Sequence, residues 1–234
     1  LELDTEILHQ FHDRSKMMMG ILPTGTVPHE PKQRLSSIFW SLPSHQLNNF
    51  LHNSQAHSDW LNQVSKRWKP AADWLEQVIA QPEQKSQWLT ANYRDVVLSK
   101  FGEGRIGVMG DAAHAMSPQL GQGANMALLD AWALGQAVQS ARKNEALDYV
   151  QLWQTYHQHR QSSTAFYQFL SRLLTPLYQS DLWWAGGLRD LSFAWMYRIP
   201  YFRKEMAVTI SGLKLGMFSQ MNYRDIAKQN NHSV

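Results

Sequence analysis

The sequence predicts a mixed α/β fold with a sheet-rich first part, a central strand–loop–helix segment and a helical last part. Apolar runs bounded by proline and glycine in residues 1–44 indicate strands. Apolar residues spaced at i, i+3 and i+4 in residues 45–91, and again beyond residue 146, indicate amphipathic helices. Residues 104–138 read as a short strand, a glycine-rich loop and a long apolar helix. We therefore expect three parts, comprising residues 1–99, 100–145 and 146–234.

The composition is that of a globular protein with little electrostatic preference for a partner. Hydrophobic residues make up 44% of the 234 residues and aromatic residues 12%, which excludes a disordered chain. The net charge is only +3, so no nucleic-acid partner is expected. The absence of cysteine excludes a disulfide scaffold and thiolate metal sites. Because residues 1–4 also show no signal-peptide pattern, we expect a cytoplasmic protein.

The first part of the chain predicts a hairpin with a long loop. The apolar run from Lys16 to Leu22 precedes turn residues at 23–26, and a second run, Ser36 to Leu42, stops at Pro43. A polar connection, residues 27–34, separates the two runs. Most of these side chains fit an ordinary sheet core, and a substrate-lining role for some of them is the alternative.

Helices are expected to follow, and then a strand. Trp60, Val64 and Trp68 lie on one face of a predicted helix, and Pro70 restarts the pattern towards Pro82. Residues 93–99, with the sequence YRDVVLS, read as a strand that leads into the central segment. Scattered histidines without partners at metal-ligand spacing predict no metal site.

The central segment combines features that suit an anionic ligand. An apolar strand, Arg105 to Met109, runs into Gly110-Asp111, and a helix begins near Ala124 after Gly121-Gln122-Gly123. Glycine lets the backbone approach a ligand closely. The first turn of a helix has unpaired N–H groups and a partial positive charge, which attract a phosphate or an anionic ring. A carboxylate at a strand end can accept hydrogen bonds from ribose or ribityl hydroxyls.

Two generic interpretations of this segment fit poorly. The sequence from Gly121 to Met126 lacks the third glycine of a GxGxxG fingerprint and does not directly follow a strand. Asp111, His114 and Ser117 contain the residue types of a hydrolytic triad, but three members within seven residues rarely reach the required geometry. We expect His114 to pack or form a hydrogen bond within the loop.

As a whole, the segment closely resembles the second FAD motif of the flavin-dependent aromatic hydroxylases, the p-hydroxybenzoate hydroxylase-like family. That motif is a strand, GDAAH, a proline, GQGxN and a helix containing DA. Residues 110–114, Pro118, residues 121–125 and Asp130-Ala131 match it in order and spacing. The resemblance implies the C-terminal part of a p-hydroxybenzoate hydroxylase-like FAD-binding fold. It assigns part of the substrate-domain sheet to residues 1–99, the FAD segment to residues 100–145 and C-terminal helices to the rest.

The resemblance also implies the role of each site residue. Asp111 is expected to bind the ribityl or ribose hydroxyls of FAD, with Gly110 at the strand end. Pro118 is expected to border the flavin ring on the side where oxygen reacts. The remaining cofactor-binding residues present backbone N–H groups to the pyrimidine edge of the ring, where a helix N-terminus stabilises anionic reduced flavin. They are Gly121, Gln122, Gly123, Ala124 and Asn125. No side chain is identified as a catalytic acid or base.

The activity that the resemblance implies is a monooxygenase reaction. Such enzymes reduce FAD with NAD(P)H and react it with O2 to form a flavin hydroperoxide, which hydroxylates or epoxidises an aromatic or alkene-containing small molecule. No GxGxxG motif for the ADP half of FAD precedes the segment, so we expect the sequence to be the C-terminal portion of a longer chain and inactive alone. The product of a split gene is the alternative. Two alternatives stay open: a related flavoprotein such as a halogenase or reductase, and a non-catalytic assembly module.

The last part of the chain is rich in aromatic residues interrupted by arginine and lysine. No run in residues 182–218 is long and uncharged enough for a membrane span. Tryptophan and tyrosine beside basic residues also suit a membrane surface. Packing over the flavin domain, or a homodimer contact, is the favoured interpretation.

Overall fold

The structure is a computed structural model that describes residues 6–27, 29–79, 89–143 and 146–221. The chain forms two compact units, one comprising Leu1–Ala91 with Pro176–Gly187 and the other Asn92–Thr175 with Leu188–Val234. The mixed α/β class is confirmed. The predicted three-part division rests on the resemblance and stays a prediction.

The first unit contains an antiparallel sheet and three helices. The sheet has the order β1 (His9–Asp13), β2 (Met17–Val27) and β3 (Glu30–Trp40). Helices α1 (Ser44–His52), α2 (Ser54–Arg67) and α3 (Lys69–Ile79) follow. The Asn53 side chain caps α2 by accepting a hydrogen bond from the Gln55 N–H at 2.9 Å. The predicted end of the helical region near Pro82 lies outside the described residues.

The core of this unit joins one face of the sheet to the helices. Met19 and Ile21 alternate onto that face and pack with Phe50, Trp60 and Val64. The core also includes Ala71, Ala72 and Leu75. Met19 and, in part, Trp40 therefore belong to the core beneath the sheet, which agrees with the first of the two interpretations of these side chains.

The predicted long loop between the two strands is wrong. The strands β2 and β3 pair from Met19 opposite Trp40 to Val27 opposite Glu30, and the register shifts between Pro23 and Gly25 and again between Thr26 and Val27. The turn residues Pro23 and Gly25 lie inside β2, where the register shifts. β1 pairs only with residues 17–21 of β2, so the edge of β2 that faces β1 has no strand partner at Pro23. Proline, which has no backbone N–H to donate, is therefore tolerated at this position.

The second unit begins with an irregular segment and a short hairpin. Residues 93–99 form no strand, which corrects the prediction, because no described strand pairs with them; the Val96 N–H donates to the Ala115 carbonyl at 2.9 Å. β4 (Gly102–Glu103) and β5 (Ile106–Gly107) form the hairpin. The Trp153 ring covers Gly102 and Gly107 so closely that a Cβ on either would lie within 2.3 Å of it.

The structure describes five α-helices that lie wholly or partly in the second unit. They are α4 (Asp111–His114), α5 (Gly123–Ala141), α6 (Tyr149–Tyr178), α7 (Ala185–Arg198) and α8 (Pro200–Ile210), of which α6 and α7 extend into the first unit. A small hairpin, β6 (Arg142–Lys143) and β7 (Ala146–Leu147), links α5 to α6. Among the described helices, none combines the length and apolar character that a membrane crossing needs.

The core of the second unit lies between α5, α6 and the β4–β5 hairpin. Its buried members are Phe101, Ala113, Ala133, Ala137, Ala141, Leu152 and Tyr156. Only one side of α5 is buried, whereas the apolar sequence predicted burial around most of the helix. Leu128, for example, is 70% exposed. The core residues on α5 are mostly alanine, so the neighbouring elements approach its backbone closely.

Candidate functional site

The candidate site begins at Gly110, where the chain leaves the β4–β5 hairpin and enters α4. Gly110 has φ +60° and ψ −140°, a backbone conformation that is open to glycine and strained for other residues. The next residue, Asp111, is the first residue of α4 and is exposed. Its carboxylate makes no hydrogen bond or ion pair within the part of the chain that the structure describes.

The Asp111 carboxylate and the beginning of α5 face the same space. A Cβ placed on Gly123, the first residue of α5, would lie 3.9 Å from Asp111 Oδ1. Gly121 ends the preceding 3₁₀ turn, Pro118–Leu120, in the left-handed region at φ +62°. Gly121, Gly123 and Ala124 are all exposed. A free acceptor and an open helix start are thus brought together.

The first turn of α5 leaves its N–H groups available. The helix begins after Gln122 with no side-chain cap and no acidic residue in its first turn. The N–H groups of Gly123, Ala124 and Asn125 therefore have no partner within the helix and carry its positive end. This arrangement can receive the carbonyl edge of a ring or another anionic group.

The side chains of Gln122 and Asn125 are used within the protein. Gln122 is buried, and its Nε2 donates to the Ile210 carbonyl at 2.6 Å and to the Leu120 carbonyl at 3.2 Å. Asn125 Nδ2 donates to Gln122 Oε1 at 3.2 Å. These two predicted site residues therefore hold the end of α8 on the loop, and only their backbone faces the candidate site.

Hydrogen bonds from α6 also hold the loop between Ala115 and Pro118. Ser171 Oγ on α6 donates to the Ser117 carbonyl at 2.8 Å. Gln168 Nε2 on α6 donates to the Val96 carbonyl at 2.5 Å, and Val96 is itself bonded to Ala115. Pro118 follows as the exposed first residue of the 3₁₀ turn. Helix α6 therefore fixes the loop that carries Pro118.

Beneath the site lies a buried cluster of charged and polar groups centred on Asp130 of α5. His114 Nε2 lies 2.6 Å from Asp130 Oδ2, and the Gly110 N–H donates to the same oxygen at 2.7 Å. Arg160 Nε donates to Asp130 Oδ1 at 2.6 Å. The side chains of Asp130, His114 and Arg160 are 0%, 3% and 2% exposed. Asp130 thereby joins the Gly110 turn to α5 and α6.

The hydrogen bonds of this cluster keep Asp130 ionised. Burial raises the pKa of Asp130, but the bonds from His114, Arg160 and the Gly110 N–H outweigh burial and hold the pKa below its usual value. Burial, followed by the Asp130 charge, raises the pKa of the neighbouring Tyr156 hydroxyl, which stays protonated. Arg160 balances the negative charge, so the cluster supports the backbone of the site without adding an unpaired buried charge.

Sequence reasoning missed Arg160 and described His114 incompletely. Arg160 lies in a polar stretch, residues 158–163, in which four residues are exposed, whereas Arg160 and Ser163 are buried. The spacing could have indicated that Arg160 is buried, because Tyr156, Arg160 and Thr164 are four residues apart and so lie on one face of α6. His114 has the predicted structural role, but its partner is Asp130 on α5.

The comparison with protein families identifies the wider group. The family described as FAD binding domain matches residues 46–166, more than half of the chain. The chain belongs to this family. The match confirms the resemblance inferred from the central segment and confirms FAD as the cofactor of the family. It covers the central segment and Arg160 together.

Curated relatives of this FAD-binding chain are similar over less than half of its residues. The chloroplastic zeaxanthin epoxidase of an Oncidium hybrid cultivar is 30% identical over 115 residues, which are 47% of this chain and 17% of the relative. The tomato (Solanum lycopersicum) enzyme of the same name is 32% identical over 107 residues, 43% of this chain and 16% of the relative. The chain thus matches less than a fifth of these relatives' length.

Solved structures share the fold over most of the chain. PqsL, a probable FAD-dependent monooxygenase from Pseudomonas aeruginosa, is 17% identical with a TM-score of 0.56, over 83% of this chain and 48% of that protein. Klebsiella pneumoniae HpxO, solved with FAD and uric acid, is 16% identical with a TM-score of 0.54, over 98% of this chain and 50% of HpxO. The chain spans about half the length of these structures.

Neither metal binding nor hydrolysis finds support among the described residues. Within the ranges described, no group of three or more histidine or acidic side chains is arranged to hold a metal ion. The histidine beside Asp111 in the sequence, His114, is buried against Asp130 and faces away from solvent. A hydrolytic arrangement of Asp111, His114 and Ser117 is therefore not formed.

Proposed function

We propose that the chain provides the ribityl and ring half of the FAD site in an FAD-dependent monooxygenase. The whole enzyme would use NAD(P)H and O2 to hydroxylate or epoxidise an aromatic or alkene-containing small molecule. One observation carries the proposal: an unpartnered carboxylate, Asp111, lies beside the open N-terminus of α5 in a chain of the FAD binding domain family. Together they match the hydroxyls and the electron-rich edge of a flavin.

Different residues would contact different parts of the cofactor. The Asp111 carboxylate would accept hydrogen bonds from ribityl or ribose hydroxyls. The N–H groups of Gly123, Ala124 and Asn125 would donate to the pyrimidine edge, and Gly121 and Pro118 would shape the approach to the ring. Bound FAD would supply the redox and oxygen chemistry, while the protein positions it and sets the local field.

Charge is the main contribution of the protein to reactivity. The positive end of α5 favours negative charge on the ring edge, which stabilises the reduced anionic form of a flavin. The buried Asp130–Arg160 pair is neutral overall, so it does not oppose this effect. Asp111, beside the start of α5, would accept hydrogen bonds from the cofactor's hydroxyl groups and would hold the cofactor in position.

The names of relatives support the reaction class. The curated relatives are epoxidases, and PqsL is described as a probable monooxygenase. HpxO was solved with uric acid, a small aromatic ring compound, beside FAD. These substrates belong to those proteins, and the substrate of this chain is proposed only as a class.

The test measures NAD(P)H oxidation and O2 uptake by the natural full-length protein with a panel of phenols and polyprenylated rings. A monooxygenase oxidises NAD(P)H faster with its substrate and places one oxygen atom from ¹⁸O2 in the product. Oxidation of NAD(P)H without labelled product would favour a reductase. A protein that binds no FAD and consumes no O2 would be an assembly module, and the proposal would fail.

A further inference from the structure

The part of α7 in the second unit exposes an apolar stripe that the proposed flavin site does not use. Leu188, Leu191 and Trp195 are 47%, 72% and 58% exposed. At 100° per residue they fall within about 60° of arc on the helix. Three large apolar side chains aligned in this way differ from the single, scattered apolar residues of an ordinary soluble surface.

Three exposed cations follow the stripe. Arg198, the last residue of α7, lies one turn beyond Trp195, and Arg203 and Lys204 are exposed on α8. None of the three forms an ion pair with a described acidic residue. This basic set (Arg198, Arg203 and Lys204) therefore carries three charges that no described acidic side chain neutralises.

The acidic residues of the two helices are already engaged elsewhere. Asp190 pairs with Arg189 at 2.8 Å, and Glu205 pairs with the buried Lys214. Neither carboxylate is therefore available to the basic set. The unpaired positive charge on this surface follows from the arrangement of both helices and not only from the composition of the sequence.

An aromatic contact joins the apolar stripe to α8, and a cation–π contact also joins α7 to α8. The Trp195 and Phe202 ring centroids are 5.9 Å apart, and the Arg203 guanidinium lies 5.9 Å from the centroid of Tyr197. Tyr201, 63% exposed, adds a ring with a polar tip at the start of α8. The end of α7 and the beginning of α8 thus expose apolar, aromatic and basic groups around the junction of the two helices.

We propose that this surface docks on an anionic lipid membrane. The apolar stripe would enter the boundary between headgroups and acyl chains, and the basic set would contact lipid phosphates. Exposed Trp and Tyr beside Arg and Lys is the composition that favours the interfacial layer. The inference is independent of the proposed FAD chemistry.

Charge argues against a second copy of the chain as the occupant. In a two-fold symmetric contact the same patch lies on both partners, so one interface contains both basic sets. Because no described acidic side chain pairs with them, such an interface concentrates like charge, which opposes association. An anionic lipid surface would instead neutralise the three positive charges of the basic set.

The test is co-sedimentation of the full chain with phosphatidylcholine vesicles, with and without about one third phosphatidylglycerol. We expect binding to the anionic vesicles only, weakening as salt is raised. The triple variant R198Q/R203Q/K204Q should bind on the order of a hundredfold more weakly, since each basic residue near such a surface contributes about a fivefold factor. The variant L188S/L191S should lose about tenfold or more.

Matched controls separate this surface from net charge and general hydrophobicity. The triple variant K16Q/K66Q/R105Q removes three exposed cations elsewhere, and V150S/L173S removes two exposed apolar side chains of α6. Both controls should bind like the unaltered chain. Equal binding to neutral and anionic vesicles, an unaffected R198Q/R203Q/K204Q variant, or no binding at all would overturn the proposal. Lipid-free dimers that L188S/L191S abolishes would also overturn it.

Discussion

Asp130 illustrates how a single residue supports a site that it does not touch. Its carboxylate accepts hydrogen bonds from the Gly110 N–H and from Arg160, and it lies 2.6 Å from His114 Nε2. One buried group therefore connects the turn at Gly110 with α5 and α6. The sequence indicated that Asp130 matters, since it belongs to the matched motif, but not how. Arg160 lay in a polar stretch, and a hydrophobicity pattern cannot distinguish a buried arginine from a solvated one.

Replacing Asp130 with asparagine should strongly destabilise the protein. The change leaves Arg160 buried without its counter-charge, which typically costs about 3–5 kcal/mol of unfolding free energy. Urea unfolding measures the loss. Asp148→Asn, which breaks a solvent-screened pair with Lys143, is the matched control and should lower the unfolding free energy far less. Equal losses for the two variants would contradict the assigned role of Asp130.

The same residue predicts part of the acid sensitivity. Because the folded-state pKa of Asp130 lies below its usual value, its contribution to stability is present above the unfolded-state pKa, about 3.9. That contribution is lost as the pH falls through the lower, folded-state pKa. Unfolding free energy measured below about pH 5 should therefore fall less steeply in D130N than in the unaltered protein. An identical dependence of unfolding free energy on pH in both proteins would show that Asp130 does not contribute to the acid sensitivity.

Asp111 should control cofactor affinity without affecting stability. Asp111→Ala removes a charged hydrogen-bond acceptor and should weaken FAD binding by the natural full-length protein about 10- to 100-fold. Its unfolding free energy should change by less than about 0.5 kcal/mol, since the side chain is exposed. Asp181→Ala, another exposed carboxylate, is the control. Flavin fluorescence titration gives the affinity, and unchanged binding by D111A would contradict the site.

At the scale of elements, the sequence predicted the helices better than the strands. The i, i+3, i+4 spacing predicted α2 and α3 because a helix forms its hydrogen bonds within its own segment. Strands depend on partners that a local pattern does not contain. β2 continues through Pro23 because β3 pairs with it there, whereas residues 93–99 form no strand because no described strand pairs with them.

The turn before α4 depends on glycine at position 110. Gly110→Ala forces a side chain into φ +60° and ψ −140° and should cost about 1–3 kcal/mol of unfolding free energy. Steric crowding is not the cause, since the nearest atom would be 3.5 Å away. Gly135→Ala, in the exposed middle of α5 with nothing within 4 Å, should instead stabilise by about 0.5–1 kcal/mol. Thermal unfolding compares the two; a harmless G110A would contradict the assigned strain.

At the scale of the whole molecule, the motif predicted the family and the fold predicted from it agrees with the solved relatives. The structure adds the arrangement that the motif serves: Asp111, the open start of α5 and the buried Asp130 cluster beneath them. The role of each predicted FAD contact stays a proposal, because a motif specifies residue types and spacing and not the position of a ligand.

The most direct test is a crystal structure of the natural full-length protein with FAD. We expect a ribityl or ribose hydroxyl within hydrogen-bond distance of the Asp111 carboxylate, at about 2.5–3.0 Å. The pyrimidine edge of the flavin should accept from N–H groups of Gly123, Ala124 or Asn125. FAD bound with neither contact, or a bound flavin with the start of α5 still open to solvent, would contradict the account.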